Sequence, residues 1–239
     1  MQEFLNLIQD RQSTRAPFDP ERPIVKQDLM KILDAARWSP TPHNMQNFEI
    51  IVIDNKNVLK KIGNIKSPIT VEFLRENYQQ LSFSKQELLQ KKVGLLGTIF
   101  PPDWRDPAKL EEVACNSTPS PLNQTINGGS TLLIVMYDSR KRAPASEGDF
   151  LGIISLGCVM ENMWLMAQSL GMGFHIISDF GEQPVEGETK KILKIPEYIK
   201  IAFGCRIGYP VSESGKRLRV RRDVEDFTHH NQFGIKGLC

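Results

Sequence analysis

The stretch DFLGIISLGCVMENMWLMAQSL, residues 149–170, decides the fold of this chain. Apolar residues recur in it at helical spacing, and further apolar side chains lie off that stripe. A helix that is apolar on nearly every side is normally buried, so we expect this one to be central. Ser146 with Asp149 predicts its start, and Gly171 and Gly173 predict its end.

Strands and helices alternate along the rest of the chain, and this pattern predicts an α/β or α+β layer fold. Short apolar runs rich in branched residues predict strands, and wider apolar spacing predicts helices. The predicted strands are Phe48–Ile53, Thr131–Tyr137, Phe174–Ile177 and Ile199–Ile207. The predicted helices, besides the central one, are Phe4–Ile8, 27–38, 57–63, 70–80, Lys85–Val93 and Gly187–Leu193.

The chain shows neither an internal repeat nor a linker, so residues 1–239 are predicted to form a single domain. Residues 82–128 depart from the regular pattern because prolines cluster there. We therefore predict that residues 82–128 form an irregular excursion. Its candidate role is to cover an active site. The tail from Gly208 is polar and basic, and we expect it to be extended.

Composition and charge argue against partners such as nucleic acid or a membrane. The formal net charge is only +2. Glu161 and Asn162 interrupt the longest apolar run, which indicates a buried helix rather than a membrane span. The N-terminus has no basic and apolar leader, so a cytoplasmic location is expected. Isolated, reduced thiols are expected for the widely spaced cysteines Cys115, Cys158, Cys205 and Cys239.

Several catalytic classes lack their motifs. No G-x-G-x-x-G follows a strand, no P-loop motif occurs, and no G-x-S-x-G elbow is present. The histidines His43, His175, His229 and His230 do not form a metal-binding set. His175 lies in an apolar run, which favours a hydrogen-bonded buried imidazole over a catalytic base. A Rossmann site, a P-loop, an acyl-transfer serine and a metal centre are therefore not supported.

Two polar segments carry the functional signal. RQSTR, residues 11–15, places two guanidiniums and a hydroxyl together, and guanidiniums bind phosphate through bidentate, charge-assisted bonds. SPTPHNMQ, residues 39–46, is a proline-stiffened turn that can present hydrogen bonds to a planar ligand. The basic cluster Lys216–Arg222 has no interleaved aromatic residues, so single-strand nucleic-acid stacking is not supported. Together the two segments indicate a phosphorylated cofactor with polar edges.

Taken in order along the chain, these segments resemble the nitroreductase family of flavin-dependent oxidoreductases. The family's R-x-S-x-[RK] motif matches residues 11–15, and its S-P-x-x-x-N-x-Q turn matches residues 39–46. The long helix ending at Gly171–Gly173 and the strand and loop Phe174–Phe180 also correspond in order. The ending is similar too, with Gly208-Tyr-Pro followed by arginines. Residues 85–125 carry no recognisable match.

The resemblance implies an α+β fold: a three-layer sandwich with a central, mostly antiparallel sheet flanked by helices, in an intertwined homodimer. FMN would bind non-covalently at the dimer interface. Residues 11–15 would contact phosphate and ribityl, the turn would reach the partner's flavin, and Ile176–Ser178 would flank the ring. The implied cofactor-binding residues are Arg11, Gln12, Ser13, Arg15, Pro40, Thr41, Pro42, His43, Asn44, Gln46, Ile176, Ile177, Ser178, Arg219 and Arg221.

The activity implied is that of an FMN-dependent NAD(P)H oxidoreductase, with no catalytic side chain, reducing nitroaromatic, quinone or similar acceptors by ping-pong hydride transfer. Two residue pairs depart from the family pattern: Asn47-Phe48 stands where Pro-Trp is usual, and Ser178-Asp179 stands where Glu-Gly is often found. The Ser178-Asp179 pair and the unmatched residues 85–125 leave alternatives open. The alternatives are a relative with other flavin chemistry (dehalogenation, dehydrogenation or flavin fragmentation) and a flavin carrier or sensor without turnover. NADH and NADPH are not distinguished.

Overall fold

The computed structural model describes residues 1–67, 69–116, 122, 126, 131–144, 146, 148–212 and 218–237. Contacts divide the chain into two compact units. The first comprises residues 1–67 and 120–214, and the second comprises residues 68–119 and 215–239. The single domain expected for residues 1–239 stays a prediction.

A four-stranded antiparallel sheet is the framework of the first unit. Its strands are β1 (Phe48–Ile53), β2 (Thr131–Asp138), β3 (Gly173–Ile177) and β4 (Ile199–Gly208). They lie in the order β1-β2-β4-β3, and each neighbouring pair is antiparallel. All four strands were predicted from their apolar, branched sequences, and none differs from its predicted bounds by more than one residue at either end.

Helices pack on both faces of this sheet. Side chains alternate along a strand, so Leu133 and Val135 of β2 enter one buried cluster, whereas Leu132 and Ile134 enter another. The helices of the unit are α1 (Gln2–Asp10), α2 (Lys26–Arg37), α3 (Lys56–Gly63), α4 (Phe150–Ser169) and α5 (Val185–Leu193). The first cluster is completed by α2 and α4, and the second by α3 and α5.

Helix α4 is the predicted central helix, and its second half confirms that expectation. Val159, Met163 and Ala167 are fully buried against α2 and the sheet. The first turns differ, because Phe150 is 66% exposed and Ile153 is 56% exposed. The apolar surface on these turns therefore has no cover within the described part of this protomer.

The ends of α4 follow the predicted signals in part. Gly171 has a φ of 71°, and its N–H donates to the carbonyl of Gln168 as the chain leaves the helix. Asp149 is the N-cap residue, but its side chain makes no capping hydrogen bond. Among the described residues, α4 is the one helix long and apolar enough to cross a membrane, and core helices of folded proteins often share these properties.

The second unit consists of short elements. It contains the helices Val71–Arg75, Lys85–Lys91, Leu110–Asn116 and Val224–Phe227, a π-helical turn Glu76–Gln80, and the parallel strand pair Ser82–Phe83 and Leu95–Leu96. Within the segment predicted to be irregular, the helix expected at Lys85–Val93 is observed as Lys85–Lys91 and begins with a Ser84–Glu87 capping box. The helix Leu110–Asn116 in the same segment was not expected. Within 82–128, residues 117–121, 123–125 and 127–128 lie outside the described ranges. The expected extended tail includes the helical turn Val224–Phe227.

Candidate functional site

The residues after α1 run across the sheet beside β3 and β4. The N–H of Thr14 donates to the carbonyl of Phe174 at 2.9 Å, and the N–H of Asp19 donates to the carbonyl of Tyr209 at 2.7 Å. These two bonds fix the ends of residues Thr14–Asp19, one to β3 and the other to the residue that follows β4. The end of the RQSTR motif therefore has a defined position rather than that of a free surface loop.

Two glycines of the sheet make room for this segment. A Cβ on Gly173 would lie 2.5 Å from the Phe18 ring and 2.7 Å from the methyl group of Thr14. A Cβ on Gly208 would lie 2.8 Å from the same ring, which is itself fully buried. Larger residues at these positions would displace the segment, so the sheet is shaped to receive it.

Arg206, on β4, holds the same segment from beneath. Its Nη2 donates to the carbonyl oxygens of Thr14 at 3.2 Å and Ala16 at 2.9 Å, and its Nε donates to Nδ1 of His175 at 3.2 Å. The side chain is buried, with 2% of its residue surface exposed. Burial lowers the pKa of Arg206 to about 10, so it remains a cation at neutral pH.

Sequence reasoning missed Arg206, although a signal was present. A lone arginine within the apolar run Ile199–Ile207 requires polar partners on folding. His175 was expected to be a hydrogen-bonded buried imidazole, and it is half-buried and accepts a bond at Nδ1. An accepting nitrogen carries no proton, so this geometry corresponds to the neutral ring.

The predicted phosphate ligands lie along this segment and differ in their contacts and in their exposure to solvent. Arg11 pairs with Glu161 of α4, with Nε 3.2 Å from Oε1, and its guanidinium lies 4.2 Å from the centre of the Trp164 ring. Gln12 and Ser13 are half-buried, whereas Arg15 is exposed. A cavity of about 200 Å³ opens beside the segment and is lined by Gln12, Thr14, Trp164, Gln168, Phe174 and Pro210, among others.

The turn Pro40–Gln46 has a strained backbone. His43, Asn44 and Gln46 have φ values of 50°, 54° and 45°, a region that residues with a Cβ seldom occupy. The hydrogen bonds here are internal: Gln46 N donates to Thr41 Oγ1 at 3.1 Å, and Gln46 Nε2 donates to Asn44 Oδ1 at 2.8 Å. Such strain concentrates at binding and catalytic sites.

The base of this turn is fixed to α4 while its tip is exposed. Nδ2 of Asn162 donates to Ser39 Oγ at 2.9 Å and to the carbonyl of Ala35 at 3.3 Å. His43 and Asn44 at the tip are exposed. Asn162, noted from the sequence only as a break in an apolar run, is therefore the anchor of the turn.

The predicted ring-flanking residues lie at the far end of β3 from Thr14. Ile177 is buried, Ile176 is half-buried, and Ser178 is exposed at the start of a 3₁₀ turn. A strand of five residues extends about 17 Å, so the two ends of β3 suit the two ends of an elongated ligand. The next residue, Asp179, accepts a hydrogen bond from Ser67 Oγ at 3.0 Å through Oδ2.

The remaining predicted ligands belong to the second unit. Arg219 and Arg221 are exposed, and Arg221 Nη1 donates to the carbonyl of Val220 at 2.7 Å. Lys216 and Arg217, part of the predicted basic cluster, lie outside the described residues. The first unit thus places Arg11–Arg15 and Ile176–Ser178 near opposite ends of β3. It also holds the turn Pro40–Gln46 against α4 through Asn162.

Cysteine and potential metal-ligating side chains do not form an additional centre in the described ranges. Cys115, Cys158 and Cys205 are free thiols, and burial raises the pKa of Cys205. Cys239 falls outside the part that the structure describes. No group of three or more His, Cys, Asp or Glu side chains is placed to hold a metal among the residues with described positions.

Comparison with known proteins gives a family match and similar individual proteins. Residues 8–209 match the model of the nitroreductase family. An NADPH-dependent oxidoreductase of Staphylococcus aureus (strain USA300) is 27% identical over 89 residues, which are 37% of this chain and 35% of that protein. The match therefore spans about a third of that relative's length.

Solved structures are similar over nearly the whole chain. The FMN-dependent nitroreductase of Clostridium difficile R20291 superposes with a TM-score of 0.58 at 17% identity, covering 96% of this chain and 99% of that one. A nitroreductase with bound FMN from Bacteroides fragilis NCTC 9343 has a TM-score of 0.54 at 20% identity, covering 92% and 95%. At these identities the similarity shows the fold.

Proposed function

The chain belongs to the nitroreductase family, and we propose that it is an FMN-dependent oxidoreductase that draws its electrons from NAD(P)H. The observation that carries this proposal is the fixed position of the RQSTR segment, which crosses the sheet beside β3 with Thr14 bonded to Phe174. The guanidiniums of Arg11 and Arg15 lie near one end of β3, and the apolar and polar residues Ile176–Ser178 lie at the other end. This arrangement suits a cofactor that has a phosphate at one end and a ring at the other.

The residues present fit FMN. Arg15 is exposed beside a backbone that is already fixed, so its guanidinium can bind a phosphate at little entropic cost. Arg11 would exchange or share its pairing with Glu161, and Gln12 and Ser13 would hydrogen-bond the ribityl chain. Arg219 and Arg221 are proposed as further phosphate ligands, because both are exposed cations.

Bound FMN would supply the redox chemistry, accepting hydride from NAD(P)H and returning it to an acceptor. The residues of the chain position and shield the reactants. Ile176 and Ile177 lie on opposite faces of β3. Ile177 is buried, so the half-buried Ile176 would present apolar surface to the ring, and Ser178 offers hydrogen-bond donors where the strand ends. No side-chain proton donor is needed for positioning of this kind.

A homodimer completes the proposed site. The tip at His43 and Asn44 is exposed, and in this proposal it donates hydrogen bonds to a cofactor held by a second copy. The exposed Phe150 and Ile153 at the start of α4 provide apolar surface that a second copy would bury. We therefore propose the intertwined dimer and three-layer sandwich expected from the resemblance.

Nitroaromatic, quinone or similar electron-poor compounds are the proposed acceptors, and they would use the same site as NAD(P)H in turn. This ping-pong scheme needs only one binding position over the flavin, which is consistent with a sequence lacking a separate G-x-G-x-x-G fingerprint.

A second candidate is a related flavin reaction: dehalogenation, dehydrogenation or flavin fragmentation. The observation favouring it is the Asp179–Ser67 hydrogen bond. The family's usual Glu-Gly pair has its carboxylate at the first position, whereas Ser178-Asp179 has it at the second, and this bond holds the carboxylate in place. A bonded carboxylate beside the proposed ring position would alter the polarity that a substrate meets.

Anaerobic titration of the FMN-loaded protein tests these proposals. NADPH or NADH is expected to bleach the flavin absorption, and a nitroaromatic or quinone is expected to restore it. A protein that does not take up FMN would overturn the cofactor assignment. Uptake without bleaching would overturn NAD(P)H as the electron source, and bleaching without recovery by either acceptor would favour the second candidate.

A further inference from the structure

Arg206 is a buried cation whose described partners are all neutral. Its guanidinium donates to two backbone carbonyls and to the imidazole of His175, and it lies 4.4 Å from the centre of the Phe18 ring. Within the described part of the chain, no salt bridge joins it to a carboxylate. A buried positive charge without a carboxylate partner among the described residues is costly, so its presence calls for a reason.

The position of Arg206 relates it to the RQSTR segment. Its two carbonyl acceptors, at Thr14 and Ala16, bracket Arg15 in the sequence. Bonds on both sides of one residue restrict the backbone torsions of that residue. Arg206 thereby fixes the backbone from which the Arg15 side chain extends, and it places a positive charge below that backbone.

We propose that Arg206 is a positioning residue for the phosphate of the cofactor. It holds Arg15 in place and contributes a buried positive potential that a bound dianion balances. The attraction between the charges is stronger than at an open surface, because the guanidinium is shielded from water. This inference rests on the proposed function, because it takes the RQSTR segment to be the phosphate site.

A merely structural role predicts something different. If Arg206 served only to satisfy carbonyls, its loss would weaken every ligand of this site in proportion to the damage to the fold. A phosphate-directed role instead predicts a loss that depends on the phosphate. Riboflavin is FMN without that group, so the ratio of the two affinities separates the alternatives.

The experiment measures FMN and riboflavin affinities by flavin fluorescence, together with thermal unfolding, for the wild type, R206Q and R206K. The control is R22M, which removes an exposed cation of the same unit that stacks on Tyr209. The wild type is expected to prefer FMN. R206Q, which loses the charge, is expected to reduce that preference by about tenfold or more. R206K keeps the charge but not the planar fork, so a reduction of about threefold is expected. R22M is expected to leave the preference unchanged.

Equal weakening of FMN and riboflavin in R206Q, or an unchanged preference, would overturn the inference. If R206Q does not fold, R206K decides: a preference equal to that of the wild type then counts against the role. A wild type that binds neither flavin would overturn the proposed function as well. A wild type that prefers FMN, with variants that keep this preference, would overturn the present inference alone.

Discussion

The segment Arg11–Asp19 and the turn Pro40–Gln46 are both proposed to contact the same kind of ligand, yet they are built differently. The first is bonded to β3, to β4 and to the buried Arg206, which are elements more than 150 residues away in sequence. The second bonds largely to itself, keeps three residues at positive φ, and leaves its tip exposed. The first region is thus held by contacts with the rest of the chain, whereas the described residues leave the tip of the second exposed.

This difference indicates where each region acts. A segment whose backbone is bonded along its length can hold a ligand in the same chain without further ordering. Each left-handed residue of the turn costs up to about 1–2 kcal/mol, which the internal hydrogen bonds offset in part and a contact with a ligand would offset further. The comparison therefore supports binding in the same protomer for the first region and across a dimer interface for the second.

The largest effect is expected from Arg15→Ala. Loss of a charge-assisted hydrogen bond to phosphate should weaken FMN binding by about 1.5–3 kcal/mol. Fluorescence titration measures this change, with Arg37→Ala as the control because Arg37 is an exposed cation paired with Asp34. An unchanged FMN affinity would show that Arg15 is not a phosphate ligand and would remove the basis of the comparison.

Gly173→Ala tests whether the sheet shapes the first region. The new methyl group would lie 2.5 Å from Phe18, so we expect a loss of about 1–3 kcal/mol in the free energy of unfolding, with weaker FMN binding. Denaturant unfolding provides the measurement. Gly97→Ala is the control, since a Cβ there would meet its nearest atom at an ordinary 3.4 Å. Equal stability of the two variants would contradict the close packing of Phe18.

Asn162→Leu tests the anchor of the second region. Removing the amide that serves Ser39 and Ala35 should cost about 0.5–1.5 kcal/mol of stability. It should also speed hydrogen exchange in residues 40–46. Gln168→Leu removes an amide of the same helix that bonds the carbonyl of Leu7 instead, so a similar stability loss with unchanged exchange in the turn is expected. Faster exchange in both variants would argue against a specific anchor.

His43→Gly should distinguish the backbone strain of the turn from the contribution of the His43 side chain to FMN binding. Glycine tolerates a φ of 50°, so the free energy of unfolding should rise by about 0.5–1 kcal/mol while FMN binding weakens. His43→Ala is the matched control: it removes the imidazole but keeps the strained geometry, so it should weaken FMN binding without stabilising the fold. A stabilised glycine variant with full FMN affinity would show that the His43 side chain does not reach a flavin.

The smallest effect concerns acid stability of the sheet that carries both regions. Two bonds from Arg140 to Asp138, at the end of β2, lower the pKa of that carboxyl from 3.8 to about 2. A depressed pKa means that the folded state prefers the ionised form, so this contribution is present above pH 4 and is lost as the pH falls toward 2. Asp138→Asn should lack that component when stability is measured against pH. Parallel curves for the two proteins would contradict the assignment.

Much of the framework could be predicted from the sequence because its signals are local. The four strands are runs of apolar, branched residues such as Phe48–Ile53, and α4 carries its helical spacing and its Gly171 stop in adjacent residues. The short helix Leu110–Asn116 and the turn Val224–Phe227 were not predicted, because weak amphipathicity and nearby prolines or charges obscure their period.

The candidate site was predictable as a set of segments but not as an arrangement. The order of RQSTR, the proline-stiffened turn and the central helix led to the nitroreductase resemblance, which the family match at residues 8–209 confirms. The exposure of the first turns of α4 was not anticipated. An apolar helix reads the same in sequence whether its cover comes from its own chain or from a second copy.

By itself, therefore, the sequence determined the elements and the chemistry available at each: guanidiniums at residues 11–15, a polar turn at residues 39–46 and an apolar strand before Ser178. Only the tertiary structure decided that Arg206 and Gly173 receive the first of these segments and that Asn162 anchors the second. The physical reason is the distance along the sequence over which each interaction acts. Periodicity and turn preferences act over a few residues, whereas these contacts join positions more than 100 residues apart and arise only when the sheet brings them together.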